Sequence, residues 1–384
     1  MPISLSHRLN TISQSEIRSM SGACNRVGGI NMAQGVCDLG VPDQVLSGAK
    51  AAMDDGFNTY TPCEGMPELR QGIADKMHRF YGMSVDAESE VVVSSGATGA
   101  FYAACLALLD PGDEVILLEP YYGYHASTLA ALGCVLRYAR LDPPDWHLNI
   151  DRLTAVVSAR TRAIVINTPA NPSGKVFTRA EIEEIGRFAD KHDLIIFSDE
   201  IYEHFVYGDA GHLPLAALPE LWKRTVTVSG FSKVFSITGW RLGYLIAPPE
   251  ICAAAAVFND LVYVCAPSPL QMGTARGLLA LDSAYYDTIA REHREKRDIF
   301  CAVLDEIGLS PFIPDGAYYV LADISRVPGN DDRDRVMRIL DTTGVAAVPG
   351  RAFYHDDAGK DLARFCFAKQ FHDIELACER LRRL

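Results

Sequence analysis

Short apolar runs alternate with helical patterns through the middle of the chain. Seven runs have the composition of buried strands, at 91–93, 115–119, 135–138, 163–167, 194–198, 225–229 and 244–247. Helical patterns separate several of them, at 100–109, 125–132, 151–158 and 179–192. Strands that alternate with helices and are apolar on both faces indicate an α/β domain, with a mainly parallel seven-stranded sheet flanked by helices.

The pattern changes beyond Ala275. A long charged helical stretch at 284–307 leads into shorter apolar runs and a final helix that begins at Asp373. This change predicts a smaller α+β domain, with the N-terminal arm folded back on it. We expect an arm and part of the small domain at 1–40, a large domain at 41–280 and the small domain at 281–384.

Composition narrows the functional classes. Lys and Arg number 36 against 49 Asp and Glu, and the net charge of −13 disfavours a nucleic-acid surface. No apolar run approaches the roughly 18 residues of a membrane helix, and residues 1–20 lack the apolar core of a signal peptide. The ten cysteines form no C-x-x-C pair, which predicts reduced thiols in a cytoplasmic protein, with no metal site.

The segment 229–243, SGFSKVFSITGWRLG, carries the strongest chemical signal. Lys233 follows a strand end among small and apolar residues, where burial would lower its pKa and free the amine as a nucleophile. Arg241 lies eight positions later and can bind a phosphate through two hydrogen bonds. An amine that attacks carbonyls, close to such an arginine, suits a cofactor that carries both an aldehyde and a phosphate.

The pattern S-x-x-x-K-x-x-x-x-T-G-W-R-x-G resembles the lysine signature of class I/II aminotransferases, a fold type I group dependent on pyridoxal 5'-phosphate. The resemblance extends from Ile30 to Arg364 and is closest to the kynurenine–glutamine-type and prokaryotic aspartate-type members. It implies the fold of a PLP-dependent transferase. It also implies that Lys233 forms a Schiff base with the cofactor.

The same resemblance assigns the residues around the cofactor ring. Asp199 keeps the pyridine nitrogen protonated, so that the ring accepts electrons. Tyr202 donates to the phenolic oxygen, Tyr122 stacks on the ring, and Asn171, in an N-P-x-G motif, bonds the ring oxygen. Taken alone, a strand-end aspartate or an N-P-S-G turn would be structural.

A glycine-rich turn between a strand and a helix supplies the predicted phosphate site, because helix N-termini favour anions. The resemblance assigns the phosphate to Gly96, Ala97, Thr98, Ser229 and Arg241. The family often has a serine three places before the lysine, whereas Gly230 stands there and Ser229 is one position earlier. Tyr60 matches a tyrosine that reaches the phosphate of the neighbouring subunit, which implies a homodimer with shared active sites.

Substrate binding is carried by three residues in this family. Arg364 matches the arginine that holds the substrate α-carboxylate, Gly35 lies against that carboxylate, and Asn171 helps to hold it. Dicarboxylate-specific relatives add a basic residue, but Thr98 stands where some have lysine and 259–274 contains none. We also expect residues 263–265 to form an apolar wall that projects from the neighbouring subunit, which favours a neutral, aromatic or sulfur-containing donor over aspartate.

The resemblance therefore implies transfer of the α-amino group of an L-amino acid to a 2-oxo acid, in two half-reactions at one site. Three alternatives remain open. A β-lyase that cleaves C–S bonds needs the same lysine, and so does a carbon–carbon-bond-forming synthase or a decarboxylase of this fold. A non-catalytic regulator would need an added DNA-binding segment, and the chain shows no basic stretch for one.

Overall fold

The computed structural model describes residues 3, 5–10, 12, 15–208 and 211–384. Residues 1, 2, 4, 11, 13 and 14 of the predicted N-terminal arm lie outside the described residues. The helices are α1 (Glu16–Arg26), α2 (Asp43–Asp54), α3 (Pro67–Tyr81), α4 (Gly96–Leu108), α5 (Gly123–Ala131), α6 (Ile150–Val156), α7 (Arg179–Lys191), α8 (Pro219–Trp222), α9 (Pro249–Tyr263), α10 (Ser268–Ala280), α11 (Ser283–Glu306), α12 (Asp332–Thr343) and α13 (Phe371–Leu381). The strands are β1 (Ile30–Asn31), β2 (Val91–Ser95), β3 (Glu114–Glu119), β4 (Val135–Arg140), β5 (Thr161–Asn167), β6 (Ile195–Asp199), β7 (Thr225–Gly230), β8 (Leu242–Ile246), β9 (Ser310–Phe312), β10 (Tyr319–Asp323), β11 (Val345–Ala346), β12 (Val348–Pro349) and β13 (Leu362–Cys366).

A seven-stranded sheet forms the centre of the large α/β unit. Its strand order is β2-β8-β7-β6-β5-β3-β4. Neighbours from β7 to β4 pair in parallel, whereas β8 runs antiparallel to both β2 and β7. The prediction of a mainly parallel seven-stranded sheet flanked by helices is confirmed, and the seven apolar runs correspond to β2–β8.

Helices α2 and α10 were not among the predicted elements, and small residues pack them against each other. Small residues let the two helices approach each other closely: a Cβ added at Gly273 would lie 2.6 Å from the Ala49 Cβ, and one at Gly277 would lie 2.3 Å from Val45 Cγ2. Glycines on the contact face of α10 weaken its apolar periodicity, whereas α2 keeps Val45, Ala49 and Ala52 buried at helical spacing.

The C-terminal part of the chain builds a second layer. Strands β9, β10, β12 and β13 form an antiparallel sheet in the order β12-β13-β10-β9. The N-terminal segment joins this part of the molecule because β1 pairs in parallel with β11. Among the described residues, no helix combines the length and the hydropathy that a membrane span requires.

The ends of five strands place side chains at one edge of the large sheet. The turn after β2 starts α4, and the turns after β3, β5, β6 and β7 carry Tyr122, Asn171, Tyr202 and Lys233. In parallel sheets the carboxyl ends of the strands share an edge, and ligands bind in the crevice outside it. Residues that are far apart in sequence therefore meet at this edge.

The carboxylate of Glu203 lies in the interior behind that edge. It accepts hydrogen bonds from Lys76 Nζ at 2.5 Å, Tyr81 Oη at 2.7 Å, Ser229 Oγ at 2.8 Å and Tyr244 Oη at 3.2 Å. Burial raises the pKa of Glu203, but Lys76, through its charge and its hydrogen bond, and further neighbouring groups together outweigh that effect and hold the pKa far below its usual value. The pair Lys76–Glu203 thus joins α3, β7 and β8 to the turn after β6.

Replacing Lys76 with methionine should destabilise the protein strongly, because Glu203 would keep a buried charge without a cation. We expect Lys76→Met to lower the free energy of unfolding by about 3–5 kcal/mol in urea titrations. Lys50→Met, at an exposed position of α2, is the control and should change it by less than about 0.5 kcal/mol. Equal losses in the two variants would contradict the importance of the buried pair.

Candidate active site

Two adjoining cavities of about 500 and 570 Å³ open at the carboxyl edge of the large sheet. Their walls contain most of the residues predicted from the sequence: Gly35, Ala97, Thr98, Tyr122, Asn171, Asp199, Tyr202, Lys233, Arg241 and Arg364. Lys233 lines both cavities. One continuous site therefore has the predicted nucleophile at its centre.

Lys233 is partly buried, and its Nζ donates a hydrogen bond to the Gly35 carbonyl at 3.2 Å. Burial is the main reason that its pKa is lowered to about 8; Arg241 acts in the same direction and Asp199 opposes it. The ordinary value is 10.5, so an unperturbed lysine would be almost fully protonated at pH 8. The environment thus keeps a large fraction of this amine neutral and able to attack a carbonyl.

Asp199 is buried at the end of β6, and His125 Nε2 lies 2.8 Å from its Oδ2. The Ile201 N–H donates to the other carboxylate oxygen at 3.2 Å. His125 was not predicted as a site residue, because it is only the first residue of the predicted helix 125–132. Its ring packs against Phe101 and Tyr122, with centroid distances of 4.7 and 5.3 Å. The histidine holds Asp199 in one orientation through a charge-assisted hydrogen bond.

Tyrosines surround the space between Asp199 and Lys233. The hydroxyls of Tyr202 and Tyr319 lie 3.0 Å apart, and burial raises the pKa of each. Tyr122, at the start of α5, also lines both cavities. Tyr319 lies in β10, within one of the shorter apolar runs that the sequence assigns to the small domain without a role. An aromatic pair in an apolar strand is a signal of core packing, so nothing in the pattern singled it out.

The turn from β2 into α4 forms one end of the site. Gly96 has a φ of +73°, and a Cβ at this position would lie only 2.4 Å from the Arg241 guanidinium. The close approach therefore requires glycine. Ser95 provides no side-chain cap for α4, which leaves backbone N–H groups at the helix N-terminus available to an anion.

The guanidinium of Arg364 forms the other end. It is fully buried between the rings of Tyr319 and Phe353, at 4.3 and 5.1 Å. Its Nη1 donates to Asn171 Oδ1 at 2.8 Å, Nη2 donates to the Ala33 carbonyl, and buried Nε has no partner. No carboxylate among the described residues pairs with it. A buried cation without a counter-ion is costly, so this arrangement points to an anionic ligand.

Gly35 lies between Arg364 and Lys233. A Cβ at Gly35 would lie 1.8 Å from the Tyr319 hydroxyl, so only glycine lets this tyrosine approach. This glycine begins the sequence G-V-C-D that follows Gln34. Its carbonyl also accepts the hydrogen bond from Lys233, which fixes the amine at the junction of the two cavities.

Three predicted residues do not line the cavities: Gly96, which lies against the Arg241 guanidinium, Ser229 and Tyr60. The hydroxyl of Ser229 donates to Glu203 at 2.8 Å and lies within the buried polar cluster behind the sheet edge, so in this structure it stabilises that cluster and not the phosphate end. The side chain of Tyr60 is 81% exposed. Its predicted role depends on a second subunit and stays a prediction.

The expected wall at 263–265 also differs from the structure in one respect. The hydroxyl of Tyr263 accepts the N–H of Ser95 at 2.9 Å and packs close to Gly99 of the same chain. Tyr263 therefore supports the β2–α4 turn of its own subunit. Val264 is 42% exposed, so its side chain is available to a neighbouring surface.

These residues fit pyridoxal phosphate. The uncapped N-terminus of α4 and Arg241 match a phosphate, and Asp199 matches a protonated pyridine nitrogen. Lys233 supplies a neutral amine for the aldehyde, and the unpaired Nε of Arg364 matches a substrate carboxylate.

Comparison with known sequences places the chain among enzymes. A family profile described as "Aminotransferase class I and II" matches residues 27–381. A methionine aminotransferase from Escherichia coli is 35% identical over 365 residues, covering 95% of this chain and 94% of that protein. An aspartate aminotransferase from Pyrococcus abyssi is 34% identical and covers 100% and 98%, respectively. Kynurenine–oxoglutarate transaminase 3 from Rattus norvegicus is 34% identical and covers 92% and 84%.

Solved structures give the same result. The structure of a methionine aminotransferase from Escherichia coli superposes with a TM-score of 0.95, at 34% identity and with both chains fully covered. A tetra mutant of the Thermus thermophilus aspartate aminotransferase, in complex with tryptophan, superposes with a TM-score of 0.93 at 31% identity, again over both full chains.

The lowered pKa of Lys233 predicts how the cofactor-free chain captures pyridoxal phosphate. Only the neutral amine attacks the aldehyde, so the rate should rise about tenfold per pH unit below pH 8. It should level off above a midpoint of about 8. Stopped-flow absorbance measures this rate, and Lys233→Ala is the control that should show no saturable capture. A midpoint near the ordinary 10.5 would contradict the effect of burial.

Proposed function

The chain belongs to the class I and II aminotransferases, and on that premise we propose that it transfers the α-amino group of a neutral, aromatic or sulfur-containing L-amino acid to a 2-oxo acid. Members of this family depend on pyridoxal phosphate. The observation that carries the proposal is the shared cavity, in which a lysine of lowered pKa lies close to a buried arginine without a counter-ion.

Pyridoxal phosphate, when bound, supplies an electron sink for the negative charge that develops on the substrate. The N-terminus of α4 and Arg241 hold the phosphate end, while Asp199, oriented by His125, holds the ring nitrogen. Arg364 and Asn171 bind the α-carboxylate and so orient the Cα–H bond. The Nζ of Lys233 takes the proton from Cα as a general base and, as a general acid, would deliver it to the cofactor and not back to Cα.

The walls of the cavity support the donor preference. Tyr122, Tyr124 and Ile17 line the substrate end with aromatic and apolar surface. Thr98, on the wall of the adjoining cavity, adds no cation. Relatives whose names include methionine and kynurenine, and a mutant aspartate aminotransferase in complex with tryptophan, are consistent with such a side-chain pocket.

A C–S lyase of the same fold is the alternative, and one spectroscopic experiment separates the two. We expect a band near roughly 420 nm that fades towards about 330 nm when methionine or phenylalanine is added without an oxo acid. Aspartate should give a slower change. The control is Lys233→Ala, which should not turn over. A band that persists while pyruvate and ammonia accumulate from a sulfur amino acid would establish the lyase, and a band that persists without any product from any donor would reject both activities.

We also propose a cytoplasmic homodimer. All ten cysteines are free thiols, which suits a reducing compartment. Several apolar side chains of α9 and the turn after it are exposed, with Val257 at 66% and Leu261 at 78%. Exposed apolar surface of this kind is typical of subunit interfaces, and the exposed Tyr60 supports a shared active site.

Introducing a charge on this face of α9 should dissociate the dimer. We expect light scattering to give twice the chain mass for the wild type and a lower, concentration-dependent mass for Leu261→Glu, because a buried unpaired carboxylate is unfavourable. Ile313→Glu, at an exposed apolar position of the small domain, is the control and should keep the wild-type mass. A wild-type protein with the mass of one chain would contradict the proposal.

A further inference from the structure

Helix α1 presents a polar face to the substrate cavity. Arg18, Ser21, Gly22 and Asn25 line it, at the spacing of one helix face. The opposite face is apolar and buried. Arg333 binds Glu16 and Ser19 and holds the helix in place. The backbone that carries Arg18 is therefore fixed, and its polar face borders the space next to Arg364 and Lys233.

Arg18 has no counter-ion within the described part of the chain. Glu16 is the only carboxylate of α1, and it is already paired with Arg333. The Arg18 side chain is exposed and reaches both cavities. Because Arg18 is exposed and has no counter-ion within the described part of the chain, its guanidinium can bind an anion from solution without first breaking an ion pair.

The charge of this cavity contrasts with the charge of the whole protein. The larger of the two cavities is lined by three basic side chains, Arg18, Lys233 and Arg364, and by no carboxylate, whereas the chain has a net charge of −13. Arg364 accounts for one anionic group of a substrate. Arg18 supplies positive charge for a second anionic group, in a cleft that concentrates anions.

We propose that Arg18 binds the distal carboxylate of a dicarboxylic 2-oxo acid acceptor while Arg364 holds its α-carboxylate. This inference rests on the proposed transaminase function. The acceptor gains the amino group from the donor and leaves as a dicarboxylic amino acid, and the donor leaves as its 2-oxo acid. Arg364 is fully buried, whereas Arg18 is exposed on the wall of the same cavity.

The same site accepts a neutral donor because Arg18 is exposed. When the donor side chain is apolar, the guanidinium remains in solvent, and Ile17, next to Arg18, and the tyrosines provide the contacts. When the acceptor is acidic, the guanidinium turns inward to the carboxylate. Neutral and acidic substrates thus alternate in one cavity without a buried, permanently unpaired charge.

Steady-state kinetics with a fixed neutral donor test this assignment. We compare 2-oxoglutarate with 2-oxopentanoate, which has a methyl group in place of the distal carboxylate. Arg18→Gln should raise the KM for 2-oxoglutarate roughly five- to twentyfold and change kcat less than about twofold, since it removes a charge-assisted hydrogen bond made equally in the ground and transition states. The KM for 2-oxopentanoate should not change.

Arg26→Gln is the matched control, because Arg26 is an exposed arginine of the same helix that does not line either cavity. It should leave both KM values at the wild-type level. Arg18→Lys should keep part of the preference, because it retains the charge but loses the planar fork. Equal effects of Arg18→Gln on the two acids, or no effect on either, would overturn the assignment.

A binding measurement makes the test independent of turnover. Calorimetry with the holoenzyme compares glutarate with pentanoate, neither of which carries a reactive carbonyl. Arg18→Gln should weaken glutarate roughly as much as it raises the KM for 2-oxoglutarate, and pentanoate not at all. If no amino acid undergoes half-transamination, the proposed transaminase function is wrong. The difference in the binding of glutarate and pentanoate still tests whether Arg18 binds the distal carboxylate. If half-transamination occurs and the preference is absent, only the role of Arg18 fails.

Discussion

The buried carboxylate of Glu203 is the interaction on which the arrangement of the site depends. It follows Tyr202 directly, and its partner Ser229 precedes Lys233 by four residues. The Glu203 carboxylate therefore connects the turns after β6 and β7, and Lys76 of α3 neutralises its charge. A buried ion pair of this kind contributes little net stability compared with apolar packing. Its value lies in geometry, since it fixes the two turns that carry the reactive groups.

The cavity shows the opposite use of buried charge. Lys233 is held partly neutral by burial, and Arg364 is buried with one nitrogen unpaired. Both buried groups raise the free energy of the protein without ligand. An aldehyde would react with the Lys233 amine, and a carboxylate would pair with the Arg364 guanidinium. The protein therefore stores part of the binding free energy in its own unsatisfied groups. The Glu203 cluster makes this possible, because only a rigid site can keep such groups from reorienting.

The large sheet was predictable because its strands are apolar on both faces, which is a signal that survives without knowledge of tertiary contacts. The reactive side chains were predictable from the motif around Lys233 and from the turns at strand ends. Two kinds of residue were not predictable from the sequence. His125 and Tyr319 act through partners distant in sequence, and a histidine in a helix or a tyrosine in a strand has many ordinary roles. Ser229 was assigned by its position near the lysine, but hydrogen bonding to Glu203 decides its orientation.

The parallel pairing of β1 with β11 has a consequence for the order in which the enzyme matures during synthesis. Every strand of the large sheet has been translated by Ile246, so that half can begin to fold on the ribosome. Strand β1 and its neighbour α1 must wait for Val345 and Ala346, which are made about three hundred residues later. Helix α1, which carries Arg18, therefore packs among the last elements. The nascent chain can form the large sheet well before its substrate site is complete.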